Sequence, residues 1–181
     1  MQRVIVGGIS GCGKSTMARR LAARFDLPYV EMDALFHGPG WVERPTFLTD
    51  VDAFVATARW VTDSDGYADV VGDRVWERAD TFVWLDYSRA VVMSRVVRRS
   101  FLRALGRREL WNGNREDPRM WLRADHPIRW AWSQHAGRRR RNDEVTTDPR
   151  FGHLDVVRLR SPTDAVRWLG RLPRPDEAPR R

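Results

Sequence analysis

The chain has 181 residues, 42% of them hydrophobic, and a formal net charge of +8 with a pI near 10.9, which is the size of one domain with apolar material enough for a core. Its single cysteine, Cys12, excludes an internal disulfide framework and a cysteine-built zinc site. There is no run of about 18 apolar residues long enough to span a membrane and no secretory leader at Met1, so a soluble, unexported, cytoplasmic protein is expected.

Residues 3–7, Arg-Val-Ile-Val-Gly, read as a short buried parallel strand. A glycine-rich stretch follows, Gly8-Ile-Ser10-Gly11-Cys12-Gly13-Lys14-Ser15-Thr16, and then apolar residues at Met17, Ala18, Leu21, Ala22 and Phe25, a helical spacing. Residues 28–32 form a second expected strand ending at Asp33, and 38–45 a Gly/Pro-rich loop. Thr49 is the expected N-cap of a helix reaching Ala58. Residues 59–62 form a third strand, which delivers Asp63 and Asp65 to its carboxyl end, with Asp65-Gly66 signalling a turn.

Residues 81–85, Thr-Phe-Val-Trp-Leu, are a clear strand closing on Asp86, which is expected to cap the helix that follows. That helix covers about 89–108. Residues 109–127 are polar and rich in Gly, Asn and Pro, 128–141 are helical again, 155–159 form a last strand and 162–172 a last helix. The tail from Pro173, with three prolines in its first seven residues, is expected to be disordered. Strands alternating with helices predict an α/β fold: a three-layer sandwich around a mostly parallel five-stranded sheet, as one domain over 1–172 followed by a tail over 173–181. Such sheets bind ligands at the carboxyl ends of their strands, where the glycine-rich loop, Asp33, Asp63 and Asp65 all fall.

The pattern Gly-x4-Gly-Lys-Ser/Thr is met by Gly8, Gly13, Lys14 and Ser15. Each residue type has a task. Glycines let successive backbone N–H groups point inward at a phosphate, and the helix beginning near Lys14 adds its positive end. Lys14 reaches the β- and γ-oxygens, and the Ser15 hydroxyl is placed to ligate Mg²⁺. The nucleotide-binding set is therefore Gly8, Ser10, Gly11, Cys12, Gly13, Lys14, Ser15 and Thr16, for Mg·ATP. Of the 32 basic residues 31 are arginine, so lysine survives only where a compact ammonium must sit among phosphate oxygens.

The sequence resembles the adenylate-kinase-like branch of P-loop proteins, and within it the bacterial DNA topology modulation (FlaR-related) family. Besides the loop, the matching pieces are Glu31-Met-Asp33-Ala-Leu-Phe36 with Pro39-Gly-Trp41-Val, Trp60-Val-Thr-Asp63, Trp76-Glu-Arg-Ala-Asp80 with Val83-Trp-Leu-Asp86, and Arg108-Glu-Leu-Trp111-Asn-Gly-Asn-Arg115-Glu116. Where the family has Asp-Gly-Asn-Tyr, this chain has Asp63-Ser-Asp65-Gly-Tyr67, one residue longer, so Asp63 and Asp65 both stand as candidates for the metal-linked acid. The resemblance implies phosphoryl transfer, an acid at Asp33 that contacts the acceptor, and a lid over 109–127 that closes on the phosphates with arginines.

The charge is unevenly spread. Between Arg89 and Arg141 fifteen arginines face four acids, a net of +11, while the rest of the chain is slightly acidic. Arg95, Arg99, Arg103 and Arg107 recur every four residues and share one helix face, which repels itself unless it meets an anion. Arg99 and Arg103 are the candidates for neutralising a transferred phosphoryl group. Trp111, Trp121, Trp130 and Trp132 with Arg138 to Arg141 would suit either a packed lid or base stacking on nucleic acid. The four histidines show no metal-ligand spacing.

Two readings follow. In the first, Mg·ATP bound at Gly8 to Thr16 phosphorylates a small-molecule acceptor, with nucleosides, nucleotides and polyols in the set; Lys14, Asp33, Asp63, Arg99 and Arg103 carry the chemistry, and Ser15 with Asp63 holds the metal. The Asp-Gly-Phe-Pro-Arg pattern of nucleoside monophosphate kinases is missing. In the second, nucleotide occupancy switches the grip of the basic segment on nucleic acid and so modulates DNA topology.

Overall fold

The computed structural model describes residues 1–63, 67–106 and 127–173. Strands β1 (Arg3–Gly7), β2 (Tyr29–Val30), β3 (Trp60–Thr62), β4 (Thr81–Leu85) and β5 (Asp155–Leu159) form one sheet in the order β2-β3-β1-β4-β5. Each of its pairings is parallel. The helices among the described residues are α1 (Lys14–Phe25), α2 (Met32–Phe36), α3 (Phe47–Val55), α4 (Ala68–Val71), α5 (Arg74–Arg78), α6 (Arg89–Gly106), α7 (Pro127–Thr147) and α8 (Pro162–Arg171), with 3-10 turns at Pro39–Trp41 and Pro149–Phe151. None is long and apolar enough to cross a membrane.

Alternation along the strands decides the layers, because successive side chains leave a strand on opposite faces. Val4, Val6, Val83 and Leu85 meet Met17, Ala18 and Leu21 of α1 and Val92 and Val96 of α6. Ile5, Trp60, Phe82 and Trp84 meet Phe47, Val51 and Val55 of α3 and Val75 and Trp76 of α5 on the other face. Both faces are covered, which is why these strands read as unbroken apolar runs. The first face is aliphatic. The second is aromatic, with the Trp76 ring edge-on to Phe82 at 4.9 Å and Phe82 stacked on Trp84 at 6.2 Å. Emptying one fully buried aromatic site, as in Trp84→Ala, costs about 3–5 kcal/mol.

Several expected boundaries move. The strand expected over 28–32 is only Tyr29–Val30, because Met32 turns its N–H toward the Asp63 carboxylate at 3.4 Å and opens α2. Asp33 therefore lies inside a helix rather than at a strand end. The helix expected from Thr49 to Ala58 runs over Phe47–Val55 with Thr46 at its N-cap, since the buried stripe begins one turn earlier at Phe47. α7 starts at Pro127 and continues past Arg141 to Thr147; Arg158 donates to Asp143 at 2.8 Å, and the Thr146 and Thr147 hydroxyls bond back to the Asp143 carbonyl. α4 and α5 are too short for periodicity to show them. The lid segment up to residue 126, Trp111, Trp121, Asp65 and the tail from 174 lie outside the described residues.

Candidate active site

The loop between β1 and α1 is built on backbone positions that a side chain would block. At Gly8, with φ 134°, a Cβ would lie 2.7 Å from the Leu85 carbonyl and 2.8 Å from the Cys12 sulfur. At Gly11, with φ 90°, it would lie 2.2 Å from Cγ2 of Val96 in α6. The loop is thus clasped between the end of β4 and the side of α6. Gly13 occupies the N-cap position of α1, so the N–H groups of the first helical turn face the loop's hollow. The Lys14 ammonium donates to the Gly8 carbonyl at 2.8 Å, across the mouth of the same loop. Cys12 is buried, Ser10 and Lys14 are half-buried, and Thr16 is exposed on the first turn of α1.

Ser15 and Asp63, 48 residues apart, meet: the Ser15 hydroxyl donates to Oδ2 of Asp63 at 2.5 Å. β3 pairs with β1, which carries the loop at its carboxyl end, so Asp63 after β3 arrives beside the first turn of α1. The Tyr29 hydroxyl donates to the same carboxylate oxygen at 3.0 Å. Burial, reinforced by the Asp63 and Glu31 carboxylates, raises the Tyr29 phenol well above its usual range, so it stays a donor. A hydroxyl and a carboxylate are hard oxygen donors of the kind Mg²⁺ takes together with phosphate oxygens and water, so the residues fit that ion. No group of three or more His, Cys, Asp or Glu able to hold a metal occurs among the described residues.

Asp33 lies on α2, and the Tyr67 hydroxyl donates to its Oδ1 at 2.5 Å. Burial, then the nearby Asp33 carboxylate, raises the Tyr67 phenol far above its ordinary value, with Asp63 contributing in the same direction. Asp33 on α2 and Asp63 after β3 thus both act on the Tyr67 phenol, one by a hydrogen bond and one by its charge. Tyr29 carries no sequence signal for this task, and Tyr67, which closes the Asp63-Ser-Asp65-Gly-Tyr67 stretch, carries none that points to Asp33.

From the other side α6 leans its arginines on the loop. Arg95 donates to the Cys12 carbonyl at 2.9 Å, and Arg99 to the Ser10 hydroxyl at 3.3 Å. Arg95 also lies over the Tyr87 ring, 5.3 Å from its centroid. Burial and the Cys12 thiol push the Tyr87 phenol up to about 12, against the opposing pull of Arg95. Arg99 was the expected contact, and Arg95, one turn nearer the sheet in the same row, is the residue that spacing alone does not single out. Arg103 follows on α6, and its side chain lies outside the described residues.

Asp86 is not a helix cap. Its buried carboxylate accepts from Arg158 Nη2 at 2.7 Å and Nε at 2.9 Å, and pairs with Arg139 at 3.2 Å, while Ser88 supplies its hydroxyl at the entry to α6. Arg158 in turn lies 3.9 Å from the Trp84 ring centroid. His135, nearly buried, contacts the Tyr87 carbonyl at 3.0 Å. These bonds fasten α7 to the sheet next to the loop, and they occupy Arg139, one of the four consecutive arginines Arg138 to Arg141.

No protein-family model matches the chain. A cytidylate kinase from Maridesulfovibrio salexigens is 45% identical over 38 residues, which span 21% of this chain and 17% of that enzyme's length. Among solved structures, a sugar kinase from Janibacter sp. superposes with a TM-score of 0.52 at 20% identity, covering 99% of this chain and 96% of the other. A shikimate kinase from Acinetobacter baumannii, in complex with shikimate, gives 0.54 at 14% identity over 94% and 89%. A gluconokinase from Sinorhizobium meliloti gives 0.50 at 18% identity over 94% and 92%. The likeness is one of fold: the chain has the five-stranded parallel α/β fold of P-loop kinases.

Proposed function

We propose that this protein is a P-loop phosphotransferase that binds Mg·ATP at Gly8 to Thr16 and moves its γ-phosphoryl group to a hydroxyl of a small molecule. The observation that carries the reading is the 2.5 Å bond between the loop hydroxyl of Ser15 and the Asp63 carboxylate, which joins a phosphate-binding loop to a strand-end acid. Kinases of a sugar, of shikimate and of gluconate share the fold, and a short stretch is similar to a cytidylate kinase, which supports a hydroxyl or phosphate acceptor in general.

Phosphoryl transfer asks for position and charge neutralisation rather than covalent help. Loop N–H groups and the positive end of α1 hold the phosphates. Lys14 exchanges the Gly8 carbonyl for β- and γ-oxygens. Ser15 and Asp63 would hold Mg²⁺, directly or through its water, and the ion, when bound, would offset part of the negative charge of the phosphates. Asp33, oriented by Tyr67, accepts a hydrogen bond from the acceptor hydroxyl and aims it. Arg95 and Arg99 face the loop and balance the charge that builds up on the moving group, a task for which the helical spacing also proposes Arg103.

The second reading is a nucleic-acid grip by the basic segment, with the role in DNA topology that the family resemblance implies; of that segment's arginines, Arg139 is paired with the buried Asp86 carboxylate. The deciding experiment follows labelled γ-phosphate from Mg·ATP to a panel of nucleosides, nucleoside monophosphates and polyols. Transfer that disappears in Lys14→Ala is expected; ATP binding without transfer to any acceptor would sink the reading and make nucleotide-dependent DNA binding the next measurement.

A further inference from the structure

Between α2 and α3 the chain folds into a small closed hairpin. His37 pairs with Glu43 as an antiparallel bridge, the Gly38 N–H donates to the Val42 carbonyl at 2.7 Å, and the Arg44 N–H to the Phe36 carbonyl at 2.9 Å. At its tip Gly40 and Trp41 both take positive φ, 70° and 62°. A tryptophan in the left-handed region is strained, and such strain gathers where function holds it. Trp41 as a residue is 43% exposed, although its ring is large and apolar.

An aromatic path connects this tip to the acid placed at the acceptor. The Trp41 ring packs edge-on against His37 at 5.2 Å, His37 against Phe36 at 5.0 Å, and Phe36 lies 4.8 Å from Tyr67, whose hydroxyl holds Asp33. Among the described residues the charges nearby are acidic. Glu31, Asp33 and Asp63 lie on this side of the sheet edge, and Arg19 and Arg44 have carboxylate partners: Arg19 with Glu31 at 3.2 Å and Arg44 with Asp50 at 3.0 Å. Anionic acceptors would meet like charge there, whereas a flat uncharged ring with hydroxyls would meet π-faces and a carboxylate able to accept a hydroxyl proton.

We infer that the acceptor is a neutral nucleoside whose base stacks on Trp41 at the hairpin tip while a sugar hydroxyl points to Asp33. This rests on the phosphotransferase reading and narrows it to a substrate class. The geometry also explains why so large a residue occupies a glycine-favouring conformation: the hairpin holds the indole outward as a platform.

The test is calorimetric titration of the full chain, saturated with Mg·ADP, with adenosine, guanosine, cytidine and thymidine in turn, and with D-gluconate and cytidine monophosphate for comparison. At least one nucleoside is expected to bind, more tightly than either anion. Base stacking of the usual strength predicts about a 10-fold or greater loss of that affinity in Trp41→Gly and a loss of no more than about 3-fold in Trp41→Phe. Trp41→Gly relieves the positive φ, so its melting temperature should be no lower than that of the parent, which separates lost recognition from lost folding. No binding by any of the four nucleosides, binding indifferent to Trp41→Gly, or preference for either anion overturns the inference. Phosphorylation of gluconate would overturn it alone and leave the phosphotransferase reading standing. A nucleoside that binds through Trp41 but receives no phosphate would do the reverse.

Discussion

The two halves of the candidate site are made in different ways. The phosphate half is backbone: Gly8, Gly11 and Gly13 hold positive φ, and a loop of contiguous residues is clasped between β4 and α6. The acceptor half is side chain: Tyr67 and Asp33, 34 residues apart, meet at their hydrogen bond beside the Trp41 hairpin, and Tyr29 joins Asp63 over the same separation at the metal-linked acid. A backbone cradle tolerates one chemistry and allows almost no substitution. A side-chain pocket can be respecified residue by residue, which suits a fold whose solved relatives phosphorylate different small molecules.

The contrast can be broken most severely at Lys14. Lys14→Ala should lower γ-phosphate transfer by about 10³-fold, the scale of removing a preorganised charged donor from a transition state, read as initial rates at saturating acceptor. Asp63→Asn comes next, with an expected loss of about 10²-fold. Its signature is a rise in the Mg²⁺ concentration needed for half-maximal rate while the acceptor KM holds, as a metal-linked acid rather than an acceptor-binding one predicts.

Gly11→Ala tests the clasp itself. The new Cβ meets Val96 at 2.2 Å in a conformation alanine rarely adopts, so a loss of about 2–4 kcal/mol in denaturant unfolding is expected. Val96→Ala in the same chain should return part of it by making room; full additivity of the two losses would show that the clash is relieved elsewhere. On the acceptor half, Tyr67→Phe should raise the acceptor KM several-fold and leave nucleotide affinity as it was, because it frees Asp33 without touching the loop.

The smallest effect is a pH limb. Tyr87 is near 10 when unfolded and about 12 when folded, so the fold favours its neutral form. Its contribution is fully present below pH 10 and is lost as pH rises from about 10 to about 12. Tyr87→Phe should therefore flatten the alkaline fall in melting temperature across that window.

The backbone of the loop was legible in the sequence because the spacing of Gly8, Gly13, Lys14 and Ser15 is local, whereas the residues that clasp it, Leu85 and Val96, come from β4 and α6 and leave no mark in that spacing. Asp63 could be found because a short apolar strand points at it. Asp33 was expected at a strand end and lies instead in α2, because a two-residue strand is too short to be read from its neighbours. The contacts of Tyr67 with Asp33 and of Tyr29 with Asp63 could not be read, since each spans 34 residues across the sheet edge. Asp86 shows the same limit. Its neighbours suggested a helix entry, while its partners Arg139 and Arg158 lie 53 and 72 residues away in a chain where arginine is too common to stand out. The sheet was legible because both its faces are covered, which leaves unbroken apolar strands. α4 and α5, four and five residues long, are placed by packing on the aromatic face and leave no period to read.

The Lys14 ammonium closes on the Gly8 carbonyl inside its own loop, and Lys14 is the one lysine of the sequence. Acylation of lysine side chains thus has a single address in these 181 residues, and it lies in the phosphate loop. Mass spectrometry of peptides after brief amine labelling would act as an occupancy meter for that loop, with Lys14 shielded when triphosphate is present.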